Sequence, residues 1–200
     1  MLTPGSRITG LDLSVTATGA SQIQAGEAGV CRIRPGALRG QPRLKSVYTQ
    51  VRRYARGSDF IAVEGPSFAS AQRQHLMGGM WWMVMHVLWL DGFTDANVVV
   101  VPPSALKKYA TGTGNASKDE VLAAVVRRYI SVPVADNNEA DALVLAAMAA
   151  DYHGFPIAEV PKANRQALAK WPYEPCGMEP DEPRAGNSKE ARRVCLAGQP

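Results

Sequence analysis

The spacing of apolar residues changes period several times along this chain, and each change predicts an element. From Ile8 onward apolar and small positions alternate, with Ile8, Gly10 and Asp12 on one face and Leu11 and Leu13 on the other. That is a strand running into a carboxylate, followed by a Ser/Thr/Gly run with room for a tight turn. Ala17–Ile23 and Val30–Ile33 pair with it as a meander around the turn Ala25–Gly29. Behind Pro42, Leu44, Val47, Tyr48, Val51 and Ala55 recur at helical spacing. Asp59–Glu64 is a short buried strand that again ends on an acid, stopped by Gly65-Pro66.

The helix Gln72–Leu90 is apolar nearly all round, so burial on more than one side is expected, with self-association as the other use of its Trp and Met residues. Val98–Val101 is a strand closed by Pro102-Pro103, and Ser104 is expected to cap a short helix, Ala105–Tyr109. Ser117–Glu120 is a capping box that opens the helix Lys118–Tyr129. After a turn at Pro133–Asn138, the last helix is Glu139–Tyr152, in which Asp141 is the lone charge between Ala140 and Ala150.

Composition adds a boundary and a basic block. A hydrophobic fraction of 46% and a charged fraction of 20% describe an ordinary globular protein. One domain is expected over 1–155, followed by a Pro-rich, mixed-charge extension over 156–200. Only Lys162–Lys170 looks helical there; Glu174–Pro200 is expected to be a flexible tail whose Arg184, Lys189, Arg192 and Arg193 are available to nucleic acid. Net charge is +4, yet Cys31–Gly57 holds eight Arg or Lys and no acid. Such a block suits a phosphate backbone or a solvated helix face. Cys31, Cys176 and Cys195 have no metal-site spacing and leave an odd thiol, which fits a reducing cytoplasm. Met80–Leu90 is too short to span a bilayer and the N-terminus has no signal-peptide pattern, so a cytoplasmic protein with no membrane partner is expected.

Three acids then stand out. Asp12 and Glu64 each follow an apolar strand and precede a polar, Gly- or Pro-containing loop, so neighbouring strands would bring them together at one sheet edge. Asp141 sits in a helix that is otherwise apolar, where an unpaired carboxylate would cost several kcal/mol, on the order of 3–5. Three oxygen donors without His or Cys clusters suit hard divalent cations, Mg²⁺ or Mn²⁺. Two such ions about 3.5–4 Å apart can activate water and stabilise the leaving oxygen of a phosphodiester. The loop Thr111–Ser117 opens a helix and is flanked by Lys107, Lys108 and Lys118, which suits a nucleic-acid phosphate. It lacks the spacing of a nucleotide-binding P-loop.

Together GLDLSVTATG, IAVEGPS, VPPSALKKYATGTGNASK and NEADALVLAA resemble the RuvC-type Holliday junction resolvases of the RNase H-like superfamily, over Ile8–Tyr152. Length and a Gly/Ala/Arg-rich composition resemble a phage-encoded member from an actinobacterial host, which would act in the host cytoplasm. The resemblance implies an α/β fold, a five-stranded mixed sheet flanked by helices. It further implies a homodimer with Mg²⁺-dependent paired nicking of four-way junctions and other branched DNA. It assigns metal binding to Asp12, Glu64 and Asp141 and phosphate contacts to Lys107 and Lys118, and it puts the dimer contact near Gly78–Leu90. In the family an acid or His stands three residues before the last Asp; here that position is Asn138, with Glu139 one residue on. Geometry favours Asn138 as the fourth ligand and chemistry favours Glu139, which is retained among the expected ligands. Phe68 is the aromatic available to enter the junction centre.

Two other functions compete. A junction-binding protein that has lost catalysis is favoured by Asn138. A sugar-kinase or actin-like phosphotransferase is suggested by DLSVTATG, but it would need two copies of the fold, too much for 200 residues.

Overall fold

The alternating segments pair in the order they are made. β1 (Ile8–Asp12) runs antiparallel to β2 (Thr18–Gln24), and β2 antiparallel to β3 (Glu27–Ile33). A two-residue turn joins β2 and β3, and Ala25 and Gly26 take the left-handed φ values, 52° and 83°, that such a hairpin requires. β4 (Phe60–Glu64) and β5 (Val98–Val101) are parallel to β1, so each is reached by a crossover helix: α1 (Gly40–Ala55), then α2 (Gln74–Leu90). The sheet order is β3-β2-β1-β4-β5. The computed structural model describes residues 2–66 and 74–173; Phe68 and the segment 174–200 lie outside the described residues.

Alternation along the strands feeds two cores. Ile8, Ala62 and Val99 face α3 (Pro103–Thr111), α4 (Lys118–Arg128) and α5 (Asn137–Tyr152), whose Leu143, Ala146 and Ala147 lie against the sheet side of that core. Leu11, Leu13, Ile61 and Val63 face Val47 and Val51 of α1 and Met80, Val84 and Leu88 of α2.

Three expectations change. The helix α2 is not buried on more than one side: Trp82 and Trp89 are 53% and 63% exposed, because no described element covers its outer face. Ser104 does not cap α3; the helix starts at Pro103, with Pro102 in the N-cap position, so Ser104 already lies inside the first turn. The packed body also runs past residue 155. A short helix α6 (Lys162–Arg165) and a 3₁₀ turn (Gln166–Lys170) lead to Trp171 and Tyr173, and Ala167, Trp171 and Tyr173 are buried in the core that holds α5.

Candidate active site at the carboxyl edge of the sheet

Because β1 and β4 are parallel and Leu11 stands opposite Val63, Asp12 and Glu64 emerge side by side at the carboxyl ends of their strands. The third acid arrives through a close approach of backbone to backbone. A Cβ on Gly10 would lie 2.7 Å from the Ala146 nitrogen, and one on Gly19 would run into the Asn138 carbonyl. Two glycines at the centre of β1 and the start of β2 thus let α5 rest directly on the sheet, which brings Asp141 against Asp12. Asp12 and Asp141 are 6% and 7% exposed.

A cleft of about 200 Å³ opens over this edge, lined by Asp12, Ser14, Glu64, Met80, Trp81, Lys118 and Asn138 among others. Trp81 ties its wall to the strand, donating its indole N–H to the Glu64 carbonyl at 3.1 Å. Asn138 donates to the Ala17 carbonyl at 2.8 Å, fixing the loop after β1 to the start of α5. Lys118 is held by the capping box, in which Ser117 Oγ accepts from Glu120 N at 3.2 Å and Glu120 Oε2 accepts from Ser117 N at 2.7 Å.

The acids are crowded and dry. Burial, and then the charge of Asp12, pushes Asp141 up to about 7. Burial and the adjoining Glu64 carboxylate hold Asp12 well above the ordinary carboxylate range, with Lys118 pulling the other way. Glu64 is raised as well, chiefly by burial; hydrogen bonding with Asp12 offsets this, Asp141 adds to it, and Lys118 and Lys107 oppose it. Such a site lacks positive charge, and protons or cations supply it.

A family model described as crossover junction endodeoxyribonuclease RuvC matches residues 2–149. The chain belongs to the RuvC family. Among solved structures it is similar to Thermus thermophilus RuvC in complex with a Holliday junction substrate, at 19% identity and a TM-score of 0.57. It is similar also to a second structure of Thermus thermophilus RuvC, at 20% identity and a TM-score of 0.54. Each match covers 78% of this chain and 99% of the other, and at these identities they establish a shared RNase H-like fold. No curated protein sequence matches.

Of the residues the RuvC resemblance singled out, the fold gathers Asp12, Glu64, Asp141, Lys118 and Lys107 at one edge. Lys108, on the same helix as Lys107, is not among the charges acting on the three acids. Glu139 is not brought in. Its Oε2 accepts the Ala135 N–H at 2.8 Å and its own N–H donates to Asp136 Oδ1 at 3.0 Å. The physical reason is that α5 begins earlier than expected, with Asp136 as N-cap and Glu139 as the third helical residue folded back over it. Asp136-Asn-Asn-Glu139 has that motif's spacing, so the signal was present in the sequence. Asn138, in turn, lines the cleft. Trp81 is a cleft residue that periodicity alone could not separate from its neighbours Trp82 and Trp89.

Proposed function

We propose that this protein is a divalent-metal-dependent endonuclease that nicks four-way DNA junctions, and other branched DNA, in symmetric pairs. What carries the assignment is the meeting of Asp12, Glu64 and Asp141, from three separate elements, at a single edge beside Lys118 and Lys107.

The donor set fits a hard cation by its chemistry: buried carboxylate oxygens whose mutual repulsion a divalent ion would relieve. Mg²⁺, with Mn²⁺ able to replace it, is the ion proposed, held by Asp12, Glu64 and Asp141. Among the described residues no three His, Cys, Asp or Glu side chains are grouped so as to hold an ion by themselves. An ion here would take one or two of these carboxylates, with a substrate phosphate completing its shell. When bound, the cation supplies the charge that polarises the scissile phosphate and makes water a usable nucleophile.

The chain's own groups do the rest. Lys118, on the cleft wall, and Lys107 behind it offer N–H donors to the non-bridging phosphate oxygens and oppose the charge that builds on them. Trp81, Met77 and Met80 make the cleft wall apolar, which strengthens each of those interactions. Asn138 anchors Ala17 and so holds the Asp12 loop against α5. Paired nicking needs two such sites, and the exposed Trp82, Trp89 and Leu90 of α2 supply an apolar face for a homodimer.

The test is cleavage of a labelled immobile four-way junction against a matched linear duplex, using wild type and Asp12→Asn with Mg²⁺ or chelator. Symmetric nicks confined to the junction, and lost in the variant and in chelator, are expected; absence of both binding and cutting would overturn the assignment. A second reading, a junction-binding protein without catalysis, draws on Asn138 standing where the family carries an acid or His. Tight binding with no cutting in Mg²⁺ or Mn²⁺ would select it.

A further inference from the structure

The basic block of Cys31–Gly57 is not used by the site just described. Arg32 is spent on an ion pair with Asp136, and Arg52 on Asp91 at 2.5 Å. Arg56 lies beside the same Asp91. Arg43 is half-buried and donates to the Leu38 carbonyl at 2.7 Å. Arg34, Arg39, Lys45 and Arg53 remain: all are exposed, and among the described residues none meets a carboxylate within ion-pair distance.

Topology sets their line. Asp12 is in register with Gly19, and Gly19 with Arg32, so β3 ends at the same edge as the acids. Arg34 and Arg39 follow directly, and α1 then runs back down the sheet to Ala55, where the Tyr54 carbonyl accepts from Gln22 at 2.9 Å. On α1, Lys45, Arg52 and Arg53 fall within an arc of about 100° on the side away from buried Val47, Val51 and Ala55. The helix is about 24 Å long, the span of roughly seven phosphates of one DNA strand.

We infer that Arg34, Arg39, Lys45 and Arg53 form a phosphate track for one duplex arm of the branched substrate, leading from the catalytic edge along the outer face of α1. The occupant is a duplex backbone because the cations follow one another from the sheet edge along α1, solvated and unaccompanied by any acid in that stretch of sequence, an arrangement suited to phosphate charge and not to base identity. It rests on the proposed nuclease reading and gives that site an arm-length requirement. Junctions whose arms end within a few base pairs of the crossover cannot reach Lys45 and Arg53.

The experiment measures binding in chelator, by fluorescence anisotropy, of hairpin-capped junctions with arms of about 5 and about 20 base pairs, and of a long linear duplex. Wild type is compared with the triple variant Arg39→Gln, Lys45→Gln, Arg53→Gln, whose side chains lie outside the cores. On long arms the variant is expected to bind on the order of 10–100-fold more weakly, with a salt slope shallower by about three. On short arms, which reach Arg39 but do not run the length of α1, the loss should be much smaller. Equal losses on both arm lengths, or an unchanged salt slope, would overturn the track. If wild type shows no preference for the junction over the linear duplex, the nuclease reading fails instead, and the slope difference on the linear duplex still decides the track.

Discussion

The two faces of the sheet are built on opposite plans. On one, α5 is buried along almost its whole length from Ala140 to Asp151 and touches β1 and β2 through glycine. On the other, α1 and α2 bury one side only: the outer side of α1 is basic, and that of α2 carries Trp82, Trp89 and Leu90. Consecutive residues of β1 serve both, Gly10 and Asp12 toward α5, Leu11 and Leu13 toward α1 and α2. The closed face holds Asp12 and Asp141 nearly buried between sheet and helix, and the open face leaves basic and apolar side chains exposed.

The difference can be broken most severely at Gly10. Gly10→Ala puts a methyl group into the backbone of α5 and is expected to cost roughly 3 kcal/mol or more, or to prevent folding, as read by denaturant unfolding. Little or no loss would mean that α5 does not lie on the sheet as described.

Next is Asp141→Asn, which should lower junction cleavage by roughly a hundred-fold or more while leaving the fold intact. The same residue predicts a pH dependence without metal. Its folded-state pKa, about 7, is raised above the ordinary 3.8, so the folded form holds a proton that the unfolded form has lost in between. Stability from this group is therefore present below about pH 4 and is lost as pH rises toward 7, by up to about 4 kcal/mol. Thermal unfolding in chelator should show wild type falling more steeply than Asp141→Asn between about pH 4 and 7, with Mg²⁺ restoring wild type most at the upper end. Parallel curves would remove the crowding ascribed to this edge.

On the open face, Trp82→Ala with Trp89→Ala should convert a dimer to a monomer in sedimentation at about 10 μM, and change the monomer's own stability by no more than about 0.5 kcal/mol. A monomeric wild type would show that this apolar face serves another partner. The smallest effect belongs to Gly79→Ala, at an exposed helical glycine with open space around its Cβ position: a gain of about 0.5–1 kcal/mol is expected. A loss would place a partner's backbone against it, making the open face resemble the closed one.

Much of this was legible before any coordinates. The strand-then-acid pattern located Asp12 and Glu64, and the parallel pairing of β1 with β4 bore out their meeting at one edge. The Ser117 capping box was readable because all its partners are local. What escaped was non-local or was read at the wrong level. The outer face of α2 was taken for core because composition records apolarity but not which elements are left to cover it. Glu139 was kept among the ligands because its charge was weighed while the cap residue three positions before it was not. Gly10 counts among the small strand residues and Gly19 only as part of a Ser/Thr/Gly run, yet the role of both depends on α5, more than a hundred residues away.

One buried acid lies far from the cleft. Asp151, 2% exposed, accepts two hydrogen bonds from Arg165, at 2.7 and 3.0 Å, and one from the Tyr109 hydroxyl at 3.0 Å. Asn164 and Arg128 bind the last carbonyls of α3, Tyr109 and Ala110, from two sides. The stretch matched by the RuvC family model, 2–149, thus stops short of the residues that close its own fold. A chain cut after Tyr152 would take away the Arg165 partner of Asp151 and the Asn164 bonds at the end of the helix that carries Lys107, leaving only Tyr109 and Arg128 in their places. Inheritance and folding draw their borders in different places here: the family match ends at residue 149, while the buried core reaches at least to Tyr173.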